Sequence, residues 1–220
     1  MSERARGSGE LPNFGEPSTP RPAASIVLLR RGGKHAQRAL EVLLLQRTEK
    51  AKFMPGLWVF PGGSVDLADG EGDAGYRACA VRELAEEAAI ELPADEELVP
   101  FCRWITPEIV ATRFDAWFYL ALAPAHTPPK PDLTEITAAA WFTPADALAA
   151  NEAGELPLAF PTVIQLQSLL PFATSDEAIA HHRGRDVEPL LPVIVGKGED
   201  RRVVLPGDPD YPAEQAPPSA

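Results

Sequence analysis

Residues 56–90, GLWVFPGGSVDLADGEGDAGYRACAVRELAEEAAI, constrain the fold more than any other stretch. In the second half Val81, Leu84, Ala85 and Ala88 recur at i, i+3, i+4 and i+7, which predicts a helix with one apolar stripe. Glu83, Glu86 and Glu87 repeat the same spacing on the opposite side, so three carboxylates share a face. Ahead of them, Trp58, Val59 and Phe60 are strand formers that run into Pro61-Gly62-Gly63, read as a turn that breaks regular structure. A strand, a Gly-rich loop and an acidic helix in that order bring backbone N–H groups close to carboxylates. Such a pairing suits a divalent cation and a diphosphate.

An acidic helix face is ordinarily just solvated surface. Here, however, like charges at i, i+4 cost about 0.2–0.5 kcal/mol per pair, and a solvent face normally intersperses Lys among them. The only cation in the acidic half of the helix is Arg82, one turn before Glu86. Hard oxygen ligands clustered without lysines are what Mg²⁺ requires, and its charge would remove the repulsion.

Arg82-Glu83-Leu84-Ala85-Glu86-Glu87-Ala88-Ala89-Ile90 resembles the core of the Nudix box, REUXEEXGU with U aliphatic, and Pro61-Gly62-Gly63 is similar to that family's loop before its catalytic helix. The full pattern, GX5EX7REUXEEXGU, departs from this chain in two places. Its Gly near the helix end is Ala89. The loop between Gly63 and Arg82 is about five residues longer than the pattern, and counting back from Arg82 puts Ala74 where the Glu belongs. Either Asp73 or Glu71 substitutes, or nothing does.

A second resemblance precedes the box. Leu43-Leu44-Leu45-Gln46-Arg47-Thr48, then Lys52, Gly56 and Phe60-Pro61-Gly62-Gly63, is similar in spacing to the coenzyme A signature of certain Nudix diphosphatases. Leu45, Thr48 and Lys52 depart from it; Lys keeps the charge of the second Arg but loses its bidentate fork. Downstream, WITPEIVATRFDAWFYLA, Glu135, Trp141-Phe142-Thr143-Pro144 and Phe160-Pro161-Thr162 resemble the eukaryotic coenzyme A-hydrolysing branch, whose loop is also extended.

The rest of the chain bounds these readings. A length of 220 residues suits one domain, and 45% hydrophobic with 24% charged residues is a globular composition. A net charge of −12 argues against a nucleic-acid backbone or an anionic membrane as partner. Cys79 and Cys102 form no disulfide framework or zinc pattern, which points to a reducing, cytoplasmic setting. Residues 1–22 are Pro/Gly/Ser/Glu-rich and predict a disordered arm without targeting character. No apolar run is long enough to span a membrane.

Ala24–Leu29 and Leu40–Leu45 predict a hairpin of buried strands, turned around Gly32-Gly33. Leu98–Ile105 and Ala116–Ala121 predict strands; Ala145–Ala150 and Thr162–Leu170 predict helices. His181-His182 invites a metal reading, but adjacent helical residues point to different sides. Val187–Leu205 predicts a terminal hairpin around Gly196–Asp200, and Asp208–Ala220 is a Pro-rich tail. The expected organisation is therefore a 1–22 arm, a 23–183 domain and a 184–220 extension.

The resemblance implies an α/β fold: an α/β/α Nudix sandwich with a mixed sheet. It also implies a diphosphatase that uses Mg²⁺ or Mn²⁺. Glu83, Glu86 and Glu87 would hold the metal, with the Gly62 carbonyl as a further ligand. Glu83 or Glu135 would lie near the attacking water, and Arg82 would orient a glutamate. Arg47, Lys52 and Arg113 would be the substrate's cations; Phe60, Gly62, Gly63, Trp104 and Phe114 would line its groove. For Trp104 and Phe114 the competing reading is plain core packing, and for Arg113 a structural ion pair. The expected substrate is a nucleotide, with coenzyme A or an acyl-coenzyme A leading. An ADP-sugar or dinucleotide diphosphatase and a non-catalytic nucleotide-binding module are the alternatives. The oligomeric state stays open, a homodimer among its options.

Overall fold

A computed structural model describes residues 18–31, 40–125, 127–196 and 202–212. Most of the predicted arm (1–17), the turn around Gly32-Gly33, the tip of the terminal hairpin and the end of the tail lie outside these residues.

One sheet organises the chain. Its central strand, β1 (Arg21–Arg31), pairs antiparallel with β2 (Leu40–Arg47), which makes the predicted hairpin. On its other side β1 runs parallel to β6 (Phe114–Leu122), which is antiparallel to β5 (Val99–Ile105). Two further strands, β3 (Trp58–Val59) and β7 (Ile136–Phe142), pair with β2, and β8 (Pro189–Leu190) runs parallel to β5. The sheet is mixed. β1 begins at Arg21, so the last two residues assigned to the arm are part of the sheet.

The central strands are buried on both faces, which explains their unbroken apolar runs. Ile26, Leu28, Leu43, Leu45 and Tyr119 pack with Cys79, Ala80, Leu84 and Ala88 of α1 (Gly72–Ala88). Val27, Leu29, Val42, Leu44, Phe118 and Leu120 point to the opposite core. That core is closed by Ala147 of α2 (Pro144–Glu152), Val163, Leu166 and Leu169 of α3 (Phe160–Leu169), and Ala178 and Ile179 of α4 (Ser175–His182). The period-2 alternation of each strand thus feeds two layers of helices, giving the α/β/α sandwich. Thr143 caps α2 by accepting a hydrogen bond from the Asp146 amide, with Pro144 in the first turn.

Three details differ from the sequence reading. Gly62–Ser64 is a strand, β4, not a free turn: it pairs antiparallel with Ala23–Ser25 of β1. Glycine is required there because a Cβ on Gly62 would lie 2.1 Å from the Ser25 hydroxyl and 2.5 Å from the Ala24 carbonyl. The buried stripe of α1 is rotated from Val81 and Ala85 toward Cys79, Ala80, Leu84 and Ala88, and it includes Glu87. Finally, α1 ends at Ala89 in the left-handed region, φ 52°, where its N–H caps the Ala85 carbonyl. That backbone explains why the Nudix pattern has Gly at this position.

The terminal hairpin is present as β9 (Val193–Val195) and β10 (Arg202–Val204). His181 is exposed and His182 is half-buried with Nδ1 2.8 Å from the Ala178 carbonyl; unlike the sequence reading, the two rings stand 4.9 Å apart, both packed on Phe172.

Candidate active site

The site forms where the α1 carboxylates meet the β4 backbone. A short 3-10 turn, Leu67–Asp69, links β4 toward α1 and aims the Asp69 side chain back at the helix. Arg82 is the hub. Its Nε and Nη2 donate to the Asp69 carboxylate at 3.0 and 2.9 Å, and Nη1 donates to Glu83 at 2.8 Å and to Glu86 at 3.0 Å. A further bond runs from Nη2 to the Ser64 carbonyl at 3.2 Å, fastening the helix to β4. The Arg82 guanidinium holds the Asp69 carboxyl below its ordinary value.

The three glutamates differ in setting. Glu86 is exposed, Glu83 is half-buried and Glu87 is 6% exposed. Glu83 lies against Gly63, where a Cβ would come 2.2 Å from its Oε1. Burial raises its carboxyl, against the lowering effect of Arg82. Glu87 accepts the Gly62 N–H at 2.9 Å, and burial pushes its carboxyl up to about 8, helped by the neighbouring charges of Glu83 and Glu135. Gly63 lets the Glu83 carboxylate lie against backbone that a side chain would cover, and Gly62 is required by its close approach to β1 while its N–H binds Glu87.

A cavity of about 1170 Å³ opens on this cluster. Arg47, Phe60, Gly62, Gly63, Glu83, Glu86, Glu87, Trp104, Phe114 and Glu135 all line it, bringing together residues from six separate stretches of sequence. Arg47 is steadied by its Nε bond to the Phe53 carbonyl, 3.1 Å. Trp104 and Phe114 stand edge-on to Phe160 and Phe53 at 5.9 and 5.3 Å, so both wall the cavity while remaining packed. Glu135 is exposed at its mouth.

Two expected cations are placed elsewhere. Lys52 is exposed and does not line the cavity. Arg113 is 7% exposed and spends its guanidinium on the carbonyls of Thr106 (3.0 Å) and Ser18 (2.8 Å), strapping the chain before β1 to the β5–β6 connection. Nor does either proposed substitute at the long loop reach the carboxylates. Asp73 pairs with Arg77 at 2.6 Å and accepts from the Tyr119 hydroxyl at 3.3 Å, and Glu71 sits ahead of α1. The acid that meets Arg82 is Asp69. Leaving the pattern's five residues after Gly63, rather than counting back from Arg82, lands on it; the extra residues lie between Asp69 and Arg82.

The class of protein follows from the spacing of these residues and their geometry together. The NUDIX domain model matches residues 19–161, and the chain belongs to the Nudix family. It is a Nudix hydrolase. Acyl-coenzyme A diphosphatase NUDT19 of Xenopus laevis is 23% identical over 273 residues, covering 79% of this chain and 72% of that protein. The Homo sapiens protein of the same name is 25% identical over 305 residues, covering 89% and 81%. A crystal structure of a NUDIX hydrolase from Alicyclobacillus acidocaldarius superposes with a TM-score of 0.67 at 24% identity, covering 77% of this chain and 99% of that one, a likeness of fold.

Nudix hydrolases generally use divalent metals and bind small nucleotides. The donor set here fits such an ion in its chemistry: three carboxylates line one cavity, and burial together with the charge of neighbouring carboxylates raises Glu83 and Glu87. Among the described residues no three acidic, histidine or cysteine side chains stand already gathered at ligand distances, because Arg82 and Gly62 hold the glutamate oxygens. Among the described residues, too, no helix is long and apolar enough to cross a membrane.

Proposed function

We propose that this Nudix hydrolase cleaves the diphosphate of coenzyme A or an acyl-coenzyme A, releasing 3′,5′-ADP and the corresponding 4′-phosphopantetheine. The observation that carries the reading is the shape of the cavity. A carboxylate cluster and Arg47 share its lining with the apolar side chains of Phe53, Met54, Ile109, Val110, Phe114 and Phe160, while the other lining cation, Arg202, is ion-paired with Asp208 and Asp210. A substrate with a charged diphosphate and an extended, largely uncharged arm matches both surfaces. The names of the two relatives support the same class.

Glu83, Glu86, Glu87 and the Gly62 carbonyl would hold Mg²⁺ or Mn²⁺. When bound, the ion offsets charge developing on the diphosphate oxygens and makes water easier to deprotonate. The protein's own groups do the rest. Asp69 fixes Arg82, and Arg82 in turn orients Glu83 and Glu86. Glu135 lines the cavity and makes no ion pair among the described residues, which supports it over Glu83 as the carboxylate that takes the proton of the attacking water. Arg47 lines the same cavity, close enough for its charge to act on Glu87, and would meet the substrate's phosphates. Because Lys52 and Arg113 are turned away, Arg47 carries the reading of the 3′-phosphate.

A panel of coenzyme A, dephospho-coenzyme A, ADP-ribose and a dinucleoside polyphosphate, with Mg²⁺ or Mn²⁺ and products identified by mass, tests this. Coenzyme A is expected to be cleaved best, and Arg47→Ala to narrow its advantage over dephospho-coenzyme A. Far more efficient cleavage of ADP-ribose or the dinucleotide would overturn the coenzyme A assignment and leave the metal chemistry standing.

A further inference from the structure

The cavity is not closed by the family domain alone. Pro192, Ile194, Arg202 and Val203, all beyond the matched segment 19–161, form part of its lining. They belong to the β9–β10 hairpin, in which Ile194 pairs directly with Val203. The hairpin is set against the body on one side: Val204 is 1% exposed and Leu205 packs on the α2–α3–α4 core. The Tyr211 hydroxyl donates to the Leu191 carbonyl at 2.9 Å, fixing the chain after β10 to the chain before β9. Just ahead of it, β8 pairs with Arg103 and Trp104 of β5, which seats the hairpin beside the Trp104–Phe160 pair.

The charge of this end is already satisfied. Arg202 is ion-paired with Asp208 and Asp210, so it offers no uncompensated cation to a phosphate. Arg47 and the glutamates belong instead to the end where β4 meets α1. The cavity is therefore polar and metal-competent at one end, and apolar and charge-balanced at the other. Its volume, about 1170 Å³, also exceeds the roughly 300–1,000 Å³ usual for a small-molecule site.

We infer that the β9–β10 hairpin is a specificity wall: Ile194 and Val203 receive the apolar chain of an acyl thioester, with Trp104 and Phe160 beside it. This rests on the coenzyme A reading above and assigns the chain-length preference of the same site to residues outside the Nudix box. An acyl group in contact with Ile194 and Val203 leaves water for apolar surface, whereas free coenzyme A has nothing to place there.

The 220-residue protein with Mg²⁺ is assayed on coenzyme A, acetyl-coenzyme A and dodecanoyl-coenzyme A, with thermal melts to establish that each variant is folded. Ile194→Ala is expected to lower the dodecanoyl-to-free ratio of kcat/KM by roughly tenfold, the scale of a lost apolar contact, chiefly through KM. Val203→Trp adds bulk to the same wall, and is expected to reject dodecanoyl-coenzyme A relative to acetyl-coenzyme A. An unchanged ratio in both folded variants would overturn the hairpin's role while leaving the coenzyme A reading intact. A wild-type protein that cleaves neither thioester nor free coenzyme A would instead overturn that underlying reading, and the wall with it.

Discussion

The Asp69 carboxylate meets the Arg82 guanidinium through two hydrogen bonds of 3.0 and 2.9 Å, although 13 positions of chain separate the two residues. Asp69 is 5% exposed at its side chain, so water does not replace this contact. It is the restraint that keeps Arg82 extended over Glu83 and Glu86. Asp69→Asn removes the charge and keeps the shape. The expected cost is about 1.5–3 kcal/mol of stability, the range for a hydrogen bond to a charged partner, together with a fall in kcat. Asp73→Asn serves as the control, since Asp73 pairs with Arg77 on the other side of the helix and its loss should leave turnover nearly unchanged. Thermal melts and steady-state kinetics on the two variants check the pair.

Glu86 is the most exposed of the three glutamates, so Glu86→Gln should melt within about 0.5 kcal/mol of the parent, as surface changes do. Turnover should nevertheless fall by orders of magnitude, because a neutral amide is a poor ligand for a hard dication. Excess chelator should abolish turnover in the parent. Full activity in Glu86→Gln, or activity untouched by chelator, would remove the metal from the mechanism.

Glu87 predicts the pH dependence of the metal-free protein. Its folded-state carboxyl is raised from 4.5 to about 8 by burial, so between those values the folded chain holds a proton that the unfolded chain has released. That contribution is complete at low pH and is lost as pH climbs through about 8. With chelator present, the melting temperature should therefore decline between about pH 5 and 8. Glu87→Gln should flatten the decline, and Mg²⁺ should oppose it by favouring the ionised form. Melts across this range in the three conditions provide the check.

Ala89 occupies left-handed backbone at the end of α1, φ 52°, and its side chain is exposed. Ala89→Gly relieves that strain, and the expected gain is about 1 kcal/mol. Chemical denaturation should show a higher midpoint with an unchanged slope. Kinetic constants should stay within about twofold, since the residue touches none of the cavity.

The sequence by itself determined the layers and the chemical class. Unbroken apolar runs such as Ile26–Leu29 and Val42–Leu45 fit strands buried on both faces, in the middle of a sheet. Glu83, Glu86 and Glu87, spaced for one turn of helix beside Pro61-Gly62-Gly63, can gather hard oxygens in few other ways. These are local facts, set by repeat distances of a few ångströms along one element. Which charges face the cavity is not local. Arg113 looked available in the sequence, yet folding brings the Ser18 and Thr106 carbonyls within its reach, and a guanidinium takes backbone acceptors it can satisfy rather than face an empty cavity. Asp69 was hidden because the extra residues between it and Arg82 shift a count made from the helix, while the contact depends on where the loop returns in space. The terminal hairpin was legible as two apolar runs, but its partner was not. The pairing of β8 with β5 helps carry Ile194 and Val203 to the rim of a cavity whose α1 glutamates lie more than a hundred residues earlier in the chain.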